Sequence, residues 1–214
     1  MIMLYPPLKR LMDLILAVCL GVFFLPIALL VALAIKLESP GPILADTPPR
    51  VGKDGKLFKL YKFRSMIVGA HQLLRTDPKL KKLYEEYKRS SYKLREDPRV
   101  TKVGKFIRKH SLDEIPQLMN IIKGDMSLVG PRPYHSDELV EQQKRYPHTQ
   151  VLVREVLSIK PGLTGPWQVS GRSEINFDKR IAMDADYARR RSIFYDVMVL
   201  LKSPWAMIAG KGAV

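Results

Sequence analysis

Residues 14–35 read LILAVCLGVFFLPIALLVALAI, a run of 22 residues without a charge, and this run decides how the chain is organised. About 20 helical residues cross the hydrocarbon core of a bilayer, so the run has the length of a membrane helix. It is too long for the apolar part of a cleaved signal peptide, and no small-residue cleavage pattern follows it. We therefore expect a retained membrane segment over residues 1–39 and a second domain over residues 40–214.

Pro26 lies near the centre of the apolar run, where a proline removes one helical N–H and clashes with the carbonyl four residues earlier. The uncharged stretches before and after it hold 12 and 9 residues, too few for either to cross a bilayer alone. Cationic residues flank both ends of the run, which favours the cytoplasmic side for both. Two arrangements fit these observations: a re-entrant helical hairpin broken at Pro26, and a single span kinked there.

Most of the positive charge lies in one block of the chain. The net charge is +15, and residues 50–110 alone carry 19 basic and 6 acidic side chains. Such a block favours a polyanionic partner, which could be substrate phosphate, anionic lipid headgroups or nucleic acid. The apolar content of 46% excludes a disordered chain. Cys19 is the only cysteine, so an intrachain disulfide and a Cys-rich zinc cluster are excluded, and we expect a cytoplasmic environment.

Residues 57–66 are rich in aromatic side chains and predict a strand after a turn at residues 53–55. Side chains two residues apart share a face of a strand, so Lys62 and Arg64 are expected to project together among apolar neighbours. Two cations on such a face indicate either a phosphate clamp or an edge strand that charge keeps soluble.

Two further segments predict amphipathic helices. Residues 70–95 alternate charged and apolar side chains and are interrupted at Pro78, and their basic face indicates a solvated or headgroup-facing surface. Residues 193–208 carry an apolar stripe that fits a helix on the core or in the headgroup region. Trp205 in this stripe favours the membrane interface.

Two adjacent carboxylates, Asp113 and Glu114, stand in a strongly basic stretch at the start of a predicted helix. Ser111 and Glu114 match a capping box, which is a purely structural explanation. However, Pro116 lies deep for a helix capped by Ser111, and Arg108 is close in sequence. A helix N-terminus beside cations binds phosphate, and carboxylates there can hold a divalent metal against that phosphate. The pattern therefore indicates phosphoryl transfer as the alternative to capping.

Arg132 lies between two prolines in the sequence GPRP. The prolines stiffen its backbone, and a pre-organised guanidinium is suited to bidentate phosphate contact. A simple loop turn is the alternative interpretation. Residues 160–172 repeat the pattern of turn residues, a short apolar strand and an arginine after a glycine.

Together these segments resemble the monotopic phosphoglycosyl transferases, the bacterial sugar transferases that start lipid-linked glycan assembly. The similarity covers almost the whole chain. Besides the apolar run with Pro26, it rests on YKFRSM (61–66), DPRVTKVG (97–104), SLDEIPQ (111–117), GDMSLVGPRP (124–133) and KPGLTG (160–165).

The resemblance implies a mixed α/β fold, with a small membrane-seated catalytic domain, an N-terminal re-entrant membrane helical hairpin and interfacial amphipathic helices. It implies transfer of a sugar 1-phosphate from a UDP-sugar to polyprenyl (undecaprenyl) phosphate, with release of UMP. The expected location is the cytoplasmic face of a bacterial or archaeal cell membrane, in contact with membrane lipids and without a nucleic acid partner. The oligomeric state is left open between a monomer and a homodimer.

The resemblance also assigns roles. Asp113 is the expected nucleophile, forming a covalent phosphosugar intermediate that the lipid phosphate then resolves. Glu114 is expected to help hold Mg²⁺ or to activate the incoming phosphate, with both carboxylates as metal ligands. The residues expected to bind substrate phosphate are Lys62, Arg64, Arg108 and Arg132. Weaker expectations of substrate contact fall on Gln117, Gln168 and Arg172.

The chain departs from the family pattern in three respects. Leu25 stands where some relatives have a serine before the membrane proline, so a serine-assisted helix break is not available. Larger relatives carry more membrane helices and a further domain ahead of this module, so we expect this chain to be a minimal form of the family. Residues 171–177 and 211–214 look more like galactose-type or glucose-type enzymes than like those for diacetamido sugars.

Two other classes of function are alternatives to the sugar 1-phosphate transfer that the resemblance implies. A membrane-tethered protein that binds anionic lipid or nucleic acid would also explain the basic block, although no helix-turn-helix, zinc or RNA-binding signature accompanies it. A glycosidase would also use two carboxylates, but adjacent residues at one helix start do not readily flank a sugar at the separation of about 5 to 9 Å which that chemistry needs.

Overall fold

The computed structural model describes residues 4–89, 94, 96–170 and 175–208. These residues form a mixed, mostly helical fold with short strands. The helices are α1 (Tyr5–Glu38), α2 (Ala70–Thr76), α3 (Lys81–Arg89), α4 (Lys102–Lys109), α5 (Gln117–Lys123), α6 (Ser136–Arg145), α7 (Gln150–Leu157), α8 (Pro166–Ser170), α9 (Phe177–Arg190) and α10 (Ile193–Ile208). The strands are β1 (Arg50–Val51), β2 (Leu57–Phe58), β3 (Ser127–Val129) and β4 (Gly162–Thr164).

Helix α1 has 34 residues and packs one face on the rest of the molecule. On its other side large apolar side chains are exposed, with Phe23 at 71% and Leu30 at 67%. Within the described part of the chain, α1 is the one helix long and apolar enough to cross a membrane. So large an exposed apolar face is typical of contact with lipid or another protein. The buried residues recur at helical spacing and are Lys9, Asp13, Ala17, Val31 and Ile35.

Pro26 lies inside α1, and the helix continues on both sides of it. The predicted break into two helices is therefore not seen in the backbone. A proline removes one N–H and strains one turn, but the helical hydrogen bonds before and after that turn remain, so a long helix tolerates it. The re-entrant hairpin stays a prediction about how α1 meets the bilayer.

A buried polar network holds the N-terminal part of α1 against β3 and α10. The Asp13 carboxylate accepts from Ser127 Oγ at 2.7 Å and from the Leu128 backbone N–H at 3.1 Å. Lys9 Nζ lies 2.9 Å from Asp13 Oδ1 and 3.3 Å from Asp196 Oδ2 of α10. Because these side chains are buried, the network fixes the position of α1 on the domain.

Replacing Asp13 with alanine is expected to destabilise the protein by about 3–5 kcal/mol, the range for breaking a buried ion pair. The change removes the acceptor of Ser127 Oγ and one of the two carboxylates beside Lys9. Thermal unfolding in detergent measures the effect. The matched control is Asp186→Ala, which removes an exposed pair with Arg190 and should change stability by less than about 1 kcal/mol. Equal losses in the two variants would contradict the anchoring role.

The segment over residues 57–66 is extended, but regular strand pairing covers only its start. β2 pairs antiparallel with β1, with Arg50 opposite Phe58. Further along, Phe63 makes a single antiparallel bridge with Leu44. The prediction of one strand over the whole segment is therefore wrong in length, because successive parts of it bond to different loops instead of to one partner strand.

The buried centre of the fold is a parallel pair, β3 and β4, with Ser127 opposite Gly162 and Val129 opposite Thr164. Apolar side chains of α1, α5 and α10 cover this pair. A second apolar cluster joins α6, α7 and α9, and a third joins the C-terminal part of α1 to α4 through Phe63. The two ends of α1 thus contact different parts of the same body.

Both predicted amphipathic segments are helical in the described residues. Residues 70–89 form α2, a 3₁₀ turn at Pro78–Leu80 and α3, while residues 90–93 and 95 lie outside the description. Helix α10 packs Val199 into the central apolar cluster, whereas Phe194 is 80% and Trp205 75% exposed. One side of the helix therefore lies on the core, and contact of the exposed side with headgroups stays a prediction.

Candidate active site

The acidic pair lies in a 3₁₀ turn, Leu112–Glu114, ahead of helix α5. Ser111 adopts a left-handed conformation with φ of 56°, and its side chain makes no capping hydrogen bond. The capping box is therefore not formed, and the helix starts only at Gln117, because Pro116 ends the turn. The Phe63 N–H donates to the Asp113 carbonyl at 2.9 Å, which ties the turn to the extended segment.

Lys62 reaches both carboxylates. Its Nζ lies 3.3 Å from Asp113 Oδ2 and 2.7 Å from Glu114 Oε1. Burial raises the pKa of Asp113, and the charge on Lys62 opposes that rise. Burial also opposes the charge on Lys62, but Asp113 and Glu114 outweigh it, so the pKa of Lys62 is raised. The site thus keeps a lysine cation against a buried carboxylate and a half-exposed one.

Asn120 holds the backbone that carries Lys62, and sequence reasoning missed it. The side chain is fully buried on α5. Its Oδ1 accepts from the Tyr61 N–H at 2.9 Å, and its Nδ2 donates to the Lys59 carbonyl at 2.7 Å. The one available signal was an amide among the apolar residues of a predicted helix face.

Arg108 approaches the same turn from α4. The Thr101 hydroxyl caps this helix, accepting from the Gly104 N–H at 2.9 Å. The positive charge of Arg108 lowers the pKa of Asp113, again against the effect of burial. Arg108 lines the same cavity as Asp113, and its contact with a substrate phosphate stays a prediction.

Arg64 does not join Lys62, and the predicted clamp of these two cations is corrected. Its guanidinium is buried and donates to the carbonyls of Pro40 at 2.8 Å, Ser39 at 2.9 Å and Ile35 at 3.4 Å. The last carbonyls of a helix lack helical partners, so a cation there is stabilising. Arg64 caps the C-terminus of α1, and its two terminal nitrogens are engaged in that role.

Arg132 follows β3 and lies beside a tryptophan. Its guanidinium carbon is 5.9 Å from the centroid of the Trp167 ring. Its backbone N–H donates to Asp184 Oδ2 at 3.4 Å. Burial raises the pKa of Asp184 to about 8, and the neighbouring N–H and cations only partly oppose this. The side chain of Arg132 is half-buried, in agreement with a positioned guanidinium rather than a free loop residue.

Close backbone contact explains the glycines on either side of this site. A Cβ on Gly162 would lie 2.1 Å from the backbone nitrogen of Gly130. We expect Gly162→Ala to lower stability by about 1–3 kcal/mol, since β3 and β4 would have to separate. The control is Gly21→Ala, because a Cβ at Gly21 meets no atom within 4 Å. Melting temperatures of both variants in detergent test this, and an unchanged Gly162→Ala protein would contradict the close contact.

A cavity of about 860 Å³ joins these groups. Leu16, Leu20 and Phe24 of α1 form an apolar part of its wall. The predicted site residues in the wall are Lys62, Arg64, Arg108, Asp113, Glu114, Gln117, Arg132 and Gln168. The cavity therefore combines a charged floor with an apolar side formed by the membrane-length helix.

The weaker expectations of substrate contact have different outcomes. Gln117 is buried at the start of α5 and lines the cavity. Gln168 lines it too, and its Nε2 donates to the Leu163 carbonyl at 3.2 Å. Arg172 lies outside the described residues, so its role stays a prediction. Arg50, His135 and Trp167 also line the cavity, and no sequence pattern had singled out Arg50 or His135.

The sequence predicts two adjacent carboxylates, Asp113 and Glu114, as metal ligands. The described part of the chain holds no group of three or more His, Cys, Asp or Glu residues arranged to bind a metal. Mg²⁺ commonly takes only one or two protein carboxylates and completes its shell with water and substrate phosphates. Asp113 and Glu114 fit that pattern as a pair of adjacent carboxylates on the cavity wall.

Comparison with known proteins places the chain in one family. The sequence profile described as "Bacterial sugar transferase" matches residues 4–210. The chain is 40% identical over 210 residues to an undecaprenyl-phosphate galactose phosphotransferase of Salmonella typhimurium, covering 96% of this chain and 41% of that protein. It is 37% identical over 211 residues to a UDP-glucose:undecaprenyl-phosphate glucose-1-phosphate transferase of Escherichia coli, with coverage of 96% and 41%.

A shorter relative aligns over most of its own length. The exopolysaccharide production protein ExoY of Rhizobium meliloti is 39% identical over 209 residues, covering 96% of this chain and 87% of that protein. By contrast, the chain spans about two fifths of the length of the Salmonella and Escherichia relatives. Because the family profile covers nearly all of the chain, including the acidic pair and the cavity around it, this protein belongs to the bacterial sugar transferase family.

Proposed function

We propose that the protein transfers a sugar 1-phosphate from a UDP-sugar to undecaprenyl phosphate and releases UMP. The observation that carries the proposal is the cavity in which the buried carboxylate of Asp113, paired with Lys62, lies near apolar residues of α1. A lipid phosphate has a charged head and an apolar tail, and this cavity offers both environments. The names of the relatives support the same reaction.

In the first half of the reaction, an Asp113 carboxylate oxygen attacks the sugar-proximal phosphorus. A bond from that oxygen to phosphorus forms, the bond from phosphorus to the bridging oxygen breaks, and UMP leaves with the electron pair. In the second half, an oxygen of the lipid phosphate attacks the same phosphorus and the carboxylate leaves. Splitting the transfer in this way is the general benefit of a covalent intermediate.

The cations of the site have the task of neutralising phosphate charge. Lys62 and Arg108 lie by the acidic turn, and Arg132 lies further along the cavity wall. Without them, the Asp113 carboxylate would repel an anionic diphosphate. Mg²⁺ bound by Asp113 and Glu114 would supply further charge neutralisation at the phosphates. Glu114 is half-exposed, which leaves it accessible to an incoming lipid phosphate.

We also propose that α1 enters and leaves the bilayer by the cytoplasmic face. The apolar helix and the bacterial relatives indicate a membrane-associated protein. Lys9 near one end of α1 pairs with Asp196, and Glu38 at the other end accepts from the Val103 N–H at 2.9 Å. A spanning helix places its ends on opposite sides of the bilayer, whereas both ends of α1 bond to one folded body. A re-entrant or shallow insertion satisfies that constraint, with the exposed residues around Phe23 in the lipid.

UMP release by the purified protein in detergent tests the function. The assay contains Mg²⁺ and one of a panel of UDP-sugars, led by UDP-galactose and UDP-glucose, with and without undecaprenyl phosphate. We expect lipid-dependent UMP from one sugar, and an amount of UMP equal to the enzyme when the lipid is left out. UMP release at the same steady rate without lipid would indicate a hydrolase. No UMP from any sugar, combined with binding to nucleic acid, would favour the rival class.

A further inference from the structure

A second group of arginines lies away from the acidic turn but reaches the same cavity. Arg50 on β1 and Arg132 after β3 line the cavity, and Arg180 on α9 is buried behind Trp167. The Trp167 ring has the guanidinium carbon of Arg132 at 5.9 Å and that of Arg180 at 5.3 Å from its centroid. Arg50 and Arg132, which are distant in sequence, thus lie on the wall of one cavity, and Arg180 contacts the same Trp167 ring as Arg132.

Two of these guanidiniums keep unused hydrogen-bond donors. Nε and Nη1 of Arg50 are buried and have no hydrogen-bond partner among the described residues. The same holds for Nε and Nη1 of Arg180, in the part of the chain that the structure describes. A buried N–H without a partner is costly, more so on a charged group, so such donors are typical of a site that a ligand completes.

The charges around the arginines do not balance. The fully buried carboxylates beside them are Glu138 and Asp184. Burial raises the pKa of Asp184 to about 8, so this group is mostly neutral at pH 7. Burial, together with the nearby arginines, lowers the pKa of His135 to about 2, so it adds no charge. Among the described residues, the three arginines therefore face about one negative charge.

Two other arginines near this end, both among the described residues, are already paired. Arg75 forms an ion pair with Asp137 at 2.9 Å, and Arg99 forms one with Asp97 at 2.6 Å. Burial and the charge of Arg132 lower the pKa of Arg50 to about 10, which shows how poorly the protein itself compensates this charge. The excess positive charge of the cluster is thus left for an anion from outside the chain.

We propose that Arg50, together with Arg132, binds the phosphate of the departing nucleotide. The proposal rests on the proposed function. When the oxygen of Asp113 bonds to the sugar-proximal phosphorus, the electron pair of the broken bond stays on the nucleotide phosphate, which gains a negative charge. A planar guanidinium with free N–H groups matches such a phosphate in charge and geometry. Lys62 and Arg108 neutralise charge at the phosphorus that Asp113 attacks, and Arg50 neutralises charge on the phosphate that leaves.

The position of Arg50 agrees with this division. Its charge is among those that lower the pKa of Lys62, so the two cations lie within electrostatic reach of each other. The adjacent phosphates of a diphosphate likewise lie side by side. Arg50 is fixed by its backbone, since β1 pairs with β2 and Arg50 also bridges His135. The backbone that carries the guanidinium is thereby fixed, which reduces the entropy cost of binding.

Calorimetric titration of the full protein in detergent tests the proposal, with UMP and inorganic pyrophosphate as separate probes. Arg50→Gln removes the positive charge. Arg50→Lys keeps the charge but lacks the planar guanidinium with its paired N–H donors. We expect binding of both probes to weaken about tenfold or more in Arg50→Gln, and by a smaller factor in Arg50→Lys. The control is Arg190→Gln, an exposed arginine on α9, which should bind both probes like the wild type.

The outcomes separate this proposal from the proposed function. Wild-type binding of both probes by Arg50→Gln would overturn the Arg50 site and leave the transferase proposal intact. Arg50-dependent binding of pyrophosphate without any binding of UMP would support the anion site and contradict the uridine donor. Binding of neither probe by the wild type would overturn the site. If Arg50→Gln does not fold, as judged by its melting curve, wild-type affinity in Arg50→Lys overturns the proposal.

Discussion

Asp113→Asn is expected to lower UMP release by at least about a thousandfold, because the amide keeps the shape of the side chain but is a poor nucleophile. Asparagine has nearly the same size as aspartate, and Lys62 keeps Glu114 at 2.7 Å, so the variant is expected to fold, which its melting curve checks. Steady-state UMP release with the best donor and undecaprenyl phosphate measures the effect. Intact-mass analysis after incubation with donor alone should show one phosphosugar on the wild type and none on the variant.

The matched control is Asp54→Asn. Asp54 is exposed and has a φ of 56°, a conformation that asparagine also tolerates. We expect this variant to keep wild-type activity and to acquire the phosphosugar. Substantial turnover by Asp113→Asn, or a phosphosugar adduct on it, would contradict the assignment of Asp113 as nucleophile.

The second large effect is expected at Lys62. Lys62→Gln keeps much of the side-chain length but leaves Asp113 and Glu114 without the cation that lies 3.3 and 2.7 Å from them. Two unneutralised carboxylates repel an anionic donor and each other, so protonation of Asp113 becomes easier and its nucleophilicity falls. We expect kcat to fall by about a hundredfold. This is the usual effect of removing one positioned group that stabilises the charge developing on the phosphate in the transition state.

Two further variants make this test specific. Lys62→Arg should recover part of the activity, because it restores the charge with a different shape. Lys59→Gln changes an exposed lysine of the same segment and should leave kcat unchanged. Equal activity of Lys62→Gln and Lys59→Gln would show that the two ion pairs are not used in the reaction.

The sequence was informative wherever a feature depends on residues close together in the chain. The length of the apolar run and the turn at Pro78 follow from local chemistry, and the structure has them as a helix and a 3₁₀ turn. The acidic pair could be identified for the same reason, since two carboxylates in a basic stretch are conspicuous without a fold. The capping box was the local rule that failed, because the left-handed backbone at Ser111 prevents it.

The partners of individual side chains could not be predicted in this way. Lys62 and Arg64 have the same local signature, yet one meets Asp113, 51 residues on, and the other caps α1, whose carbonyls at Ile35 and Ser39 lie 29 and 25 residues back. Arg50 carried no pattern and Asn120 only the weak signal of an amide on an apolar helix face, because their significance comes from contacts with distant segments. The packing of separate elements decides such contacts, and the periodicity of residues within one element does not predict that packing.

By itself, the sequence determined that the protein has a membrane-length apolar helix, a basic block and an acidic pair within a basic stretch, since composition and spacing along the chain suffice for these. Only the tertiary structure decided that Lys62 neutralises the pair, that Arg64 does not, and that Arg50 lies in the same cavity. The physical reason is that charge compensation acts through space over a few ångströms. Which charges come that close depends on how α1, the extended segment and α5 pack together.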